Sequence, residues 1–167
     1  MCNYTVNTDT RFLAKTCCFT GHRKIPQAEL PTLKNRLMKA ITDAITQGYR
    51  YFGAGGALGF DTLAAQTVLE LKQSYSHIRL ILILPCETQT RGWRETDVAV
   101  YESIRRSADK VVYTSKTYYD GCMHKRNRHM IDHSSLCICY MTNSHSGTGY
   151  TVQYANERGR KVINLAK

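Results

Sequence analysis

Six short apolar runs alternate with stretches of helical spacing, and that alternation limits the fold more than any other feature of the chain. Thr16 to Thr20, Tyr49 to Phe52, Ile78 to Leu84, Lys110 to Tyr113, Leu136 to Tyr140 and Lys161 to Leu165 read as strands. Between the first two, Leu30, Leu33, Leu37, Ile41, Ala44 and Ile45 recur at helical spacing, and Gly48 closes that helix. Leu63, Ala64, Thr67, Val68 and Leu71 mark the next helix. Arg91 to Ser107, Cys122 to His133 and Gly149 to Glu157 supply the others. Strict alternation requires a mostly parallel sheet with helices on both faces. Ile78 to Leu84 is almost continuously apolar, as a strand covered on both faces must be. The length of 167 residues suits one α/β domain over 16–167, preceded by a polar N-terminal tail over 1–15.

Three of the expected strands run directly into turns built of small residues. The first ends at Thr20-Gly21-His22-Arg23, the second at Gly53-Ala54-Gly55-Gly56-Ala57-Leu58-Gly59, and the fifth leads to Ser144-His145-Ser146-Gly147-Thr148. A strand, a small-residue loop and a helix start aim free backbone N–H groups and a helix dipole at one point, which suits an anion. In a parallel sheet the carboxyl ends of the strands lie together, so the three turns converge on one cleft. The candidate ligand-binding residues follow. Gly21, Gly53, Gly55, Gly56, Gly59 and Gly147 allow close backbone approach. Arg23 offers a planar fork to phosphate and His22 a donor or acceptor beside it. Ser144, Ser146 and Thr148 supply hydroxyls that either cap the following helix or meet the ligand. Asp61 either caps its helix or bonds a ribose hydroxyl. Trp93 either stacks on a base or anchors its loop. Arg126 and Asn127 sit on a helix that contributes if it borders the cleft. The second turn misses the dinucleotide fingerprint by one residue and follows the wrong strand for it.

The formal net charge of +10 favours a phosphorylated or polyanionic partner through long-range attraction. The basic residues are dispersed, so they point to phosphate more than to a nucleic-acid track. Seven cysteines, an odd number, with no apolar signal core before Lys15, indicate reduced thiols and a cytoplasmic location. No C-x-x-C pair points to zinc, and neither a metal nor a cofactor is expected. The longest apolar run, Leu80 to Pro85, is far too short to span a bilayer, so no membrane partner is expected. A homo-oligomer is left open.

Taken together, Phe19-Thr20-Gly21-His22-Arg23, Gly55-Gly56-Ala57-Leu58-Gly59-Phe60-Asp61, Arg126-Asn127 with Met130-Ile131-Asp132, and Ser146-Gly147-Thr148 resemble the YpsA-like branch of the SLOG superfamily, from about Cys17 to Leu165. The resemblance implies a Rossmann-like fold that binds nucleotides or nucleotide-derived, ADP-ribose-like ligands. Two other branches are similar in part. The Lonely Guy phosphoribohydrolases carry Gly-Gly-x-Gly-Thr-x-x-Glu; aligned on Gly147-Thr148, Thr151 stands in place of the catalytic glutamate, and Ser144 and His145 replace the first glycines. DNA-processing protein A, a single-stranded DNA binder, has a comparable loop and a Gly-Arg before its last strand, echoed by Gly159-Arg160.

The leading expectation is therefore a cleft for a phosphorylated nucleotide or nucleotide-sugar ligand, in the manner of a sensor. One alternative is a hydrolase of an N-glycosidic or phosphate bond, with His22, Asp61, Glu87 and Glu157 as candidate acids and bases. A second is single-stranded nucleic-acid binding, supported by charge and by eleven tyrosines.

Overall fold

A computed structural model describes residues 10–166. Most of the expected tail over 1–15, including Cys2, lies outside the described residues; Thr10–Ala14 form a short helix, α1, whose Phe12 ring leans on Tyr51 at 5.5 Å. The strands are β1 (Thr16–Gly21), β2 (Tyr51–Ala54), β3 (Arg79–Leu84), β4 (Lys110–Tyr113), β5 (Leu136–Tyr140) and β6 (Lys161–Asn164). The helices are α2 (Leu30–Thr46), α3 (Phe60–Lys72), α4 (Glu95–Ser107), α5 (Cys122–Asp132) and α6 (Gly147–Glu157). All five strand pairings are parallel, in the order β4-β3-β2-β1-β5-β6. The sheet is Rossmann-like, with helices on both faces.

Alternation of side chains along each strand divides the core in two. Phe19, Phe52, Leu80, Leu82, Leu84, Leu136 and Ile138 face α2, α3 and α4 in the larger half. Cys18, Ile83, Cys137 and Cys139 face α5 and α6 in the smaller. On the larger side α2 presents Leu33, Leu37, Ala40, Ile41, Ala44 and Ile45, one stripe of a 3.6-residue repeat, and Pro31 occupies the first turn, where a missing N–H costs nothing. The rings of Phe19 and Phe52 lie 6.2 Å apart and nearly parallel. Each large apolar side chain buried in this way contributes roughly 1.5–3 kcal/mol. The six described cysteines are all buried and free; burial pushes the Cys17 thiol well up, and a hydrogen bond with Cys18 together with burial does the same to Cys137, so these two are unreactive packing groups.

The strand order fixes where a ligand goes. From β1 the chain steps outward through β2, β3 and β4, then returns to the other side of β1 for β5 and β6. The order reverses between β1 and β5, and a crevice opens beyond their carboxyl ends. Several element boundaries differ from expectation by one or more residues, α6 beginning at Gly147 rather than Gly149 among them, and two of the differences have a visible cause. β2 starts at Tyr51 and runs through Gly53 because the N–H groups of Arg50 and Tyr51 both turn to the Lys15 carbonyl. The helix expected from Arg91 begins at Glu95, because Gly92 (φ +81°) and an extended Arg94 first close a turn over 88–93.

Candidate functional site

The crevice between β1 and β5 is a cleft of about 340 Å³. Gly21, His22 and Arg23 enter it from the end of β1, Asp61 from α3, Arg126 and Asn127 from α5, and Ser146, Gly147 and Thr148 from the start of α6. Nine of the residues expected to bind ligand are thus brought together. Thr20, Ala57, Met123 and His124 line the same space and were not anticipated. Met123 and His124 follow once α5 is known to start at the sheet's carboxyl end, since its first turn must then border the cleft. A larger hollow of about 630 Å³ lies between α2 and β6, but none of the glycine turns or their charged neighbours reaches it.

Arg126 dominates the electrostatics. It is 3% exposed. Its Nη1 donates to the carbonyl of Gly55 and, at 3.4 Å, to that of Ile83; its Nε donates to Asn127 Oδ1 at 2.8 Å. Among the described residues no carboxylate forms an ion pair with it, although Asp61 is close enough to act on its charge. Burial lowers the Arg126 pKa from its usual value. Asp61 is itself buried and lines the cleft, with Oδ2 accepting from the Ala57 N–H at 3.3 Å. Burial raises its carboxyl pKa above the ordinary range, an effect that the charge of Arg126 opposes without cancelling. Arg23 adds a second guanidinium at the rim, with no hydrogen-bond or ion-pair partner among the described residues.

The start of α6 completes the positive surroundings. Ser146 is the N-cap: its Oγ accepts from the Gly149 N–H at 3.0 Å and donates to the Asn143 carbonyl at 2.6 Å. Among the described residues nothing accepts from the N–H groups of Gly147 and Thr148, which open toward the cleft. His22 acts as a strut. Its N–H donates to the Tyr140 carbonyl at 3.2 Å, its carbonyl accepts from Phe60 at 3.1 Å, and its Nε2 accepts from the Thr142 N–H at 2.8 Å. An amide donates only to an unprotonated ring nitrogen, so the proton of this neutral imidazole is on Nδ1.

The remaining expected residues lie elsewhere. Gly53 is inside β2, where a Cβ would press on Ile83 at 2.9 Å. The Gly55 Cα abuts Arg126, and Gly56 (φ +74°) packs near Leu84, Gln89 and Tyr101. Gly59 (φ +78°) lies against the Arg23 carbonyl. At these four glycines the space that a side chain would take is filled by protein atoms. Trp93 packs edge-to-face on Tyr101 at 5.6 Å, as a loop anchor outside the cleft. Ser144 lines a neighbouring hollow. Of the candidate acids and bases, Glu87 is exposed in the loop after β3, and Glu157 sits at the far end of α6, bonded to Gln153 at 3.0 Å. Thr151, in the position of the phosphoribohydrolase glutamate, is buried and donates back to the Gly147 carbonyl at 3.1 Å. Among the described residues no cluster of three or more His, Cys, Asp or Glu is arranged to hold a metal, and no helix is long and apolar enough to cross a membrane.

The model of the YspA SLOG family matches residues 18–164, from β1 into β6, including every element of the cleft. The chain belongs to that family. It is 30% identical over 138 residues to an uncharacterized SPbeta prophage-derived protein, YoqJ, of Bacillus subtilis (strain 168), covering 75% of this chain and 81% of YoqJ. A UPF0398 protein of Halalkalibacterium halodurans is 29% identical over 129 residues, covering 75% and 68%. Among solved structures, DNA processing protein A from Helicobacter pylori, described for its single-stranded DNA binding mode, superposes with a TM-score of 0.64 at 19% identity over 92% of this chain and 67% of that one. At that identity the likeness establishes a shared fold alone.

Proposed function

We propose that the cleft binds the phosphate of a nucleotide or nucleotide-derived ligand. The observation that carries this reading is Arg126: a guanidinium 3% exposed, held by backbone carbonyls, with no ion-paired carboxylate among the described residues. A buried charge left in that state is costly, and an anion entering the cleft relieves the cost. The free N–H groups of Gly147 and Thr148 and the rim charge of Arg23 favour the same anion. Asp61 is placed to accept a hydroxyl, such as that of a ribose. A cytoplasmic setting fits the free cysteines. Binding without turnover is preferred because Asp61 is the only carboxylate among the cleft-lining residues, and Thr151 supplies none.

Titration calorimetry with pyrophosphate, ADP-ribose and nucleoside monophosphates tests the reading. The wild type is expected to bind at least one of them at millimolar concentration or better. Arg126→Met is expected to lose about a hundredfold in affinity while melting within a few degrees of the wild type, because an apolar replacement removes the unpaired charge. Normal binding by Arg126→Met sinks the proposal.

A second reading, single-stranded nucleic acid along the same end of the sheet, draws on the likeness to a DNA-binding fold and on Tyr118 and Tyr119, which are exposed in the loop after β4. Affinity for an oligonucleotide that falls steeply with added salt would favour it; no complex at low salt removes it.

A further inference from the structure

We propose that His124 and Tyr150 form a base-stacking surface beside the cleft, so that the ligand is a nucleotide and not a bare phosphate or sugar phosphate. The proposal rests on the phosphate reading above. Helices α5 and α6 open side by side at the carboxyl end of the sheet. His124, in the first turn of α5, and Tyr150, in the first turn of α6, meet edge-to-face with ring centroids 4.6 Å apart. Arg128 Nη1 donates to the Tyr150 hydroxyl at 3.0 Å and fixes the ring from its outer end. The tyrosine is nevertheless 42% exposed. A ring oriented from two sides and still open to solvent is a preorganised surface for another flat group, because the ordering it would otherwise lose on binding is already spent.

Its position specifies that group. His124 and Tyr150 line an open hollow of about 480 Å³, and His124, Ser146 and Gly147 line both this hollow and the cleft. An anion on the free N–H groups of Gly147 and Thr148 therefore sits at the junction, with the aromatic pair on one side and Asp61 and Arg126 on the other. Tyr150 follows Gly147 by three residues, so both lie on one face of α6. A Cβ at Gly147 would meet nothing within 4 Å, so neither packing nor an unusual φ calls for glycine there; the missing side chain keeps the passage between hollow and cleft clear. Stacking tolerates any base, so purine and pyrimidine nucleotides are both expected to use the surface.

The test compares AMP with pyrophosphate on the wild type, Tyr150→Leu and Tyr150→Phe, by calorimetry and by proton NMR of the adenine. Tyr150→Leu is expected to weaken AMP about tenfold and to change pyrophosphate less than twofold. Tyr150→Phe keeps the ring and should hold AMP within about threefold. The adenine protons should shift upfield on binding to the wild type and the Phe variant, and not with the Leu variant. Equal losses for both probes would mean that Tyr150 shapes the helix terminus instead, and an unchanged AMP affinity would place the base elsewhere. Either result overturns the stacking surface and leaves the phosphate site standing. Failure of the wild type to bind either probe overturns both.

Discussion

The glycines that follow β2 and those that open α6 after β5 sit in opposite surroundings. After β2, the glycines are occupied by the protein: Gly55 makes room for Arg126, Gly56 for Leu84, and Gly59 for the Arg23 carbonyl. The Gly55 carbonyl accepts from Arg126 and, at 3.3 Å, from Gln89 Nε2. After β5, Gly149 is likewise occupied, by the Ser144 carbonyl, but Gly147 faces empty space and presents an uncommitted N–H. A glycine-rich turn at a strand end is thus not in itself a ligand loop. What separates the two cases is whether the space left by the absent side chain is already filled. The first loop builds the wall that holds Arg126; the second is the surface that the wall faces.

Three substitutions would break or sharpen that contrast. Gly59→Ala should have the largest effect, because it requires a non-glycine residue at φ +78° and ψ −119° and drives a methyl into the Arg23 backbone. A loss of at least about 3 kcal/mol is expected in chemical denaturation; a loss below about 1 kcal/mol would show that the first loop is not packed as described. Gly147→Val should leave the denaturation midpoint nearly unchanged and weaken phosphorylated ligands at least about tenfold, roughly 1.4 kcal/mol. If it instead unfolds the protein while binding is retained at low temperature, the two loops are alike and the contrast is lost. Asp61→Asn should have the smallest effect, visible as a pH dependence. The folded carboxyl has a raised pKa, so its contribution is present below the ordinary carboxylate range, near about pH 4, and is lost as pH rises through the folded value. The melting temperature of Asp61→Asn minus that of the wild type should accordingly grow as pH rises from about 4 and then level off. A difference that is flat or shrinks over that range would mean that Arg126, not burial, governs the carboxyl.

The order of elements was legible because each strand is a short apolar run and each helix carries a clear stripe, as in Leu33, Leu37, Ile41 and Ala44 of α2. The convergence of Gly21, Arg23, Asp61 and Gly147 was legible too, because parallel topology alone brings strand carboxyl ends together. The surroundings of Gly53 and Trp93 were not legible, for a physical reason. A glycine inside a strand and one in a ligand loop are the same residue, and only the neighbouring Ile83 distinguishes them. An indole after a strand stacks on whatever lies closest, which is Tyr101. The pair His124 and Tyr150 escaped notice because each reads as an ordinary exposed helical residue. Only the side-by-side opening of α5 and α6 brings their rings together, and no local pattern encodes that.

The hydrogen bond from Thr142 to His22 joins residues 120 positions apart, and it ties the first wall of the cleft to the last. Central strand β1 is made early and finds its second neighbour, β5, only after three other strands and four helices have been laid down. Such a site has no partial version. A fragment ending before β5 can collapse on α2 and α3 but lacks the loop proposed to receive the anion, and the long loop closure delays that step in folding. Under the proposed function, ligand affinity becomes a reading of complete folding: a nascent, clipped or misregistered molecule is expected to have none, and ligand is expected to protect selectively those copies in which the first strand and the last helix have met.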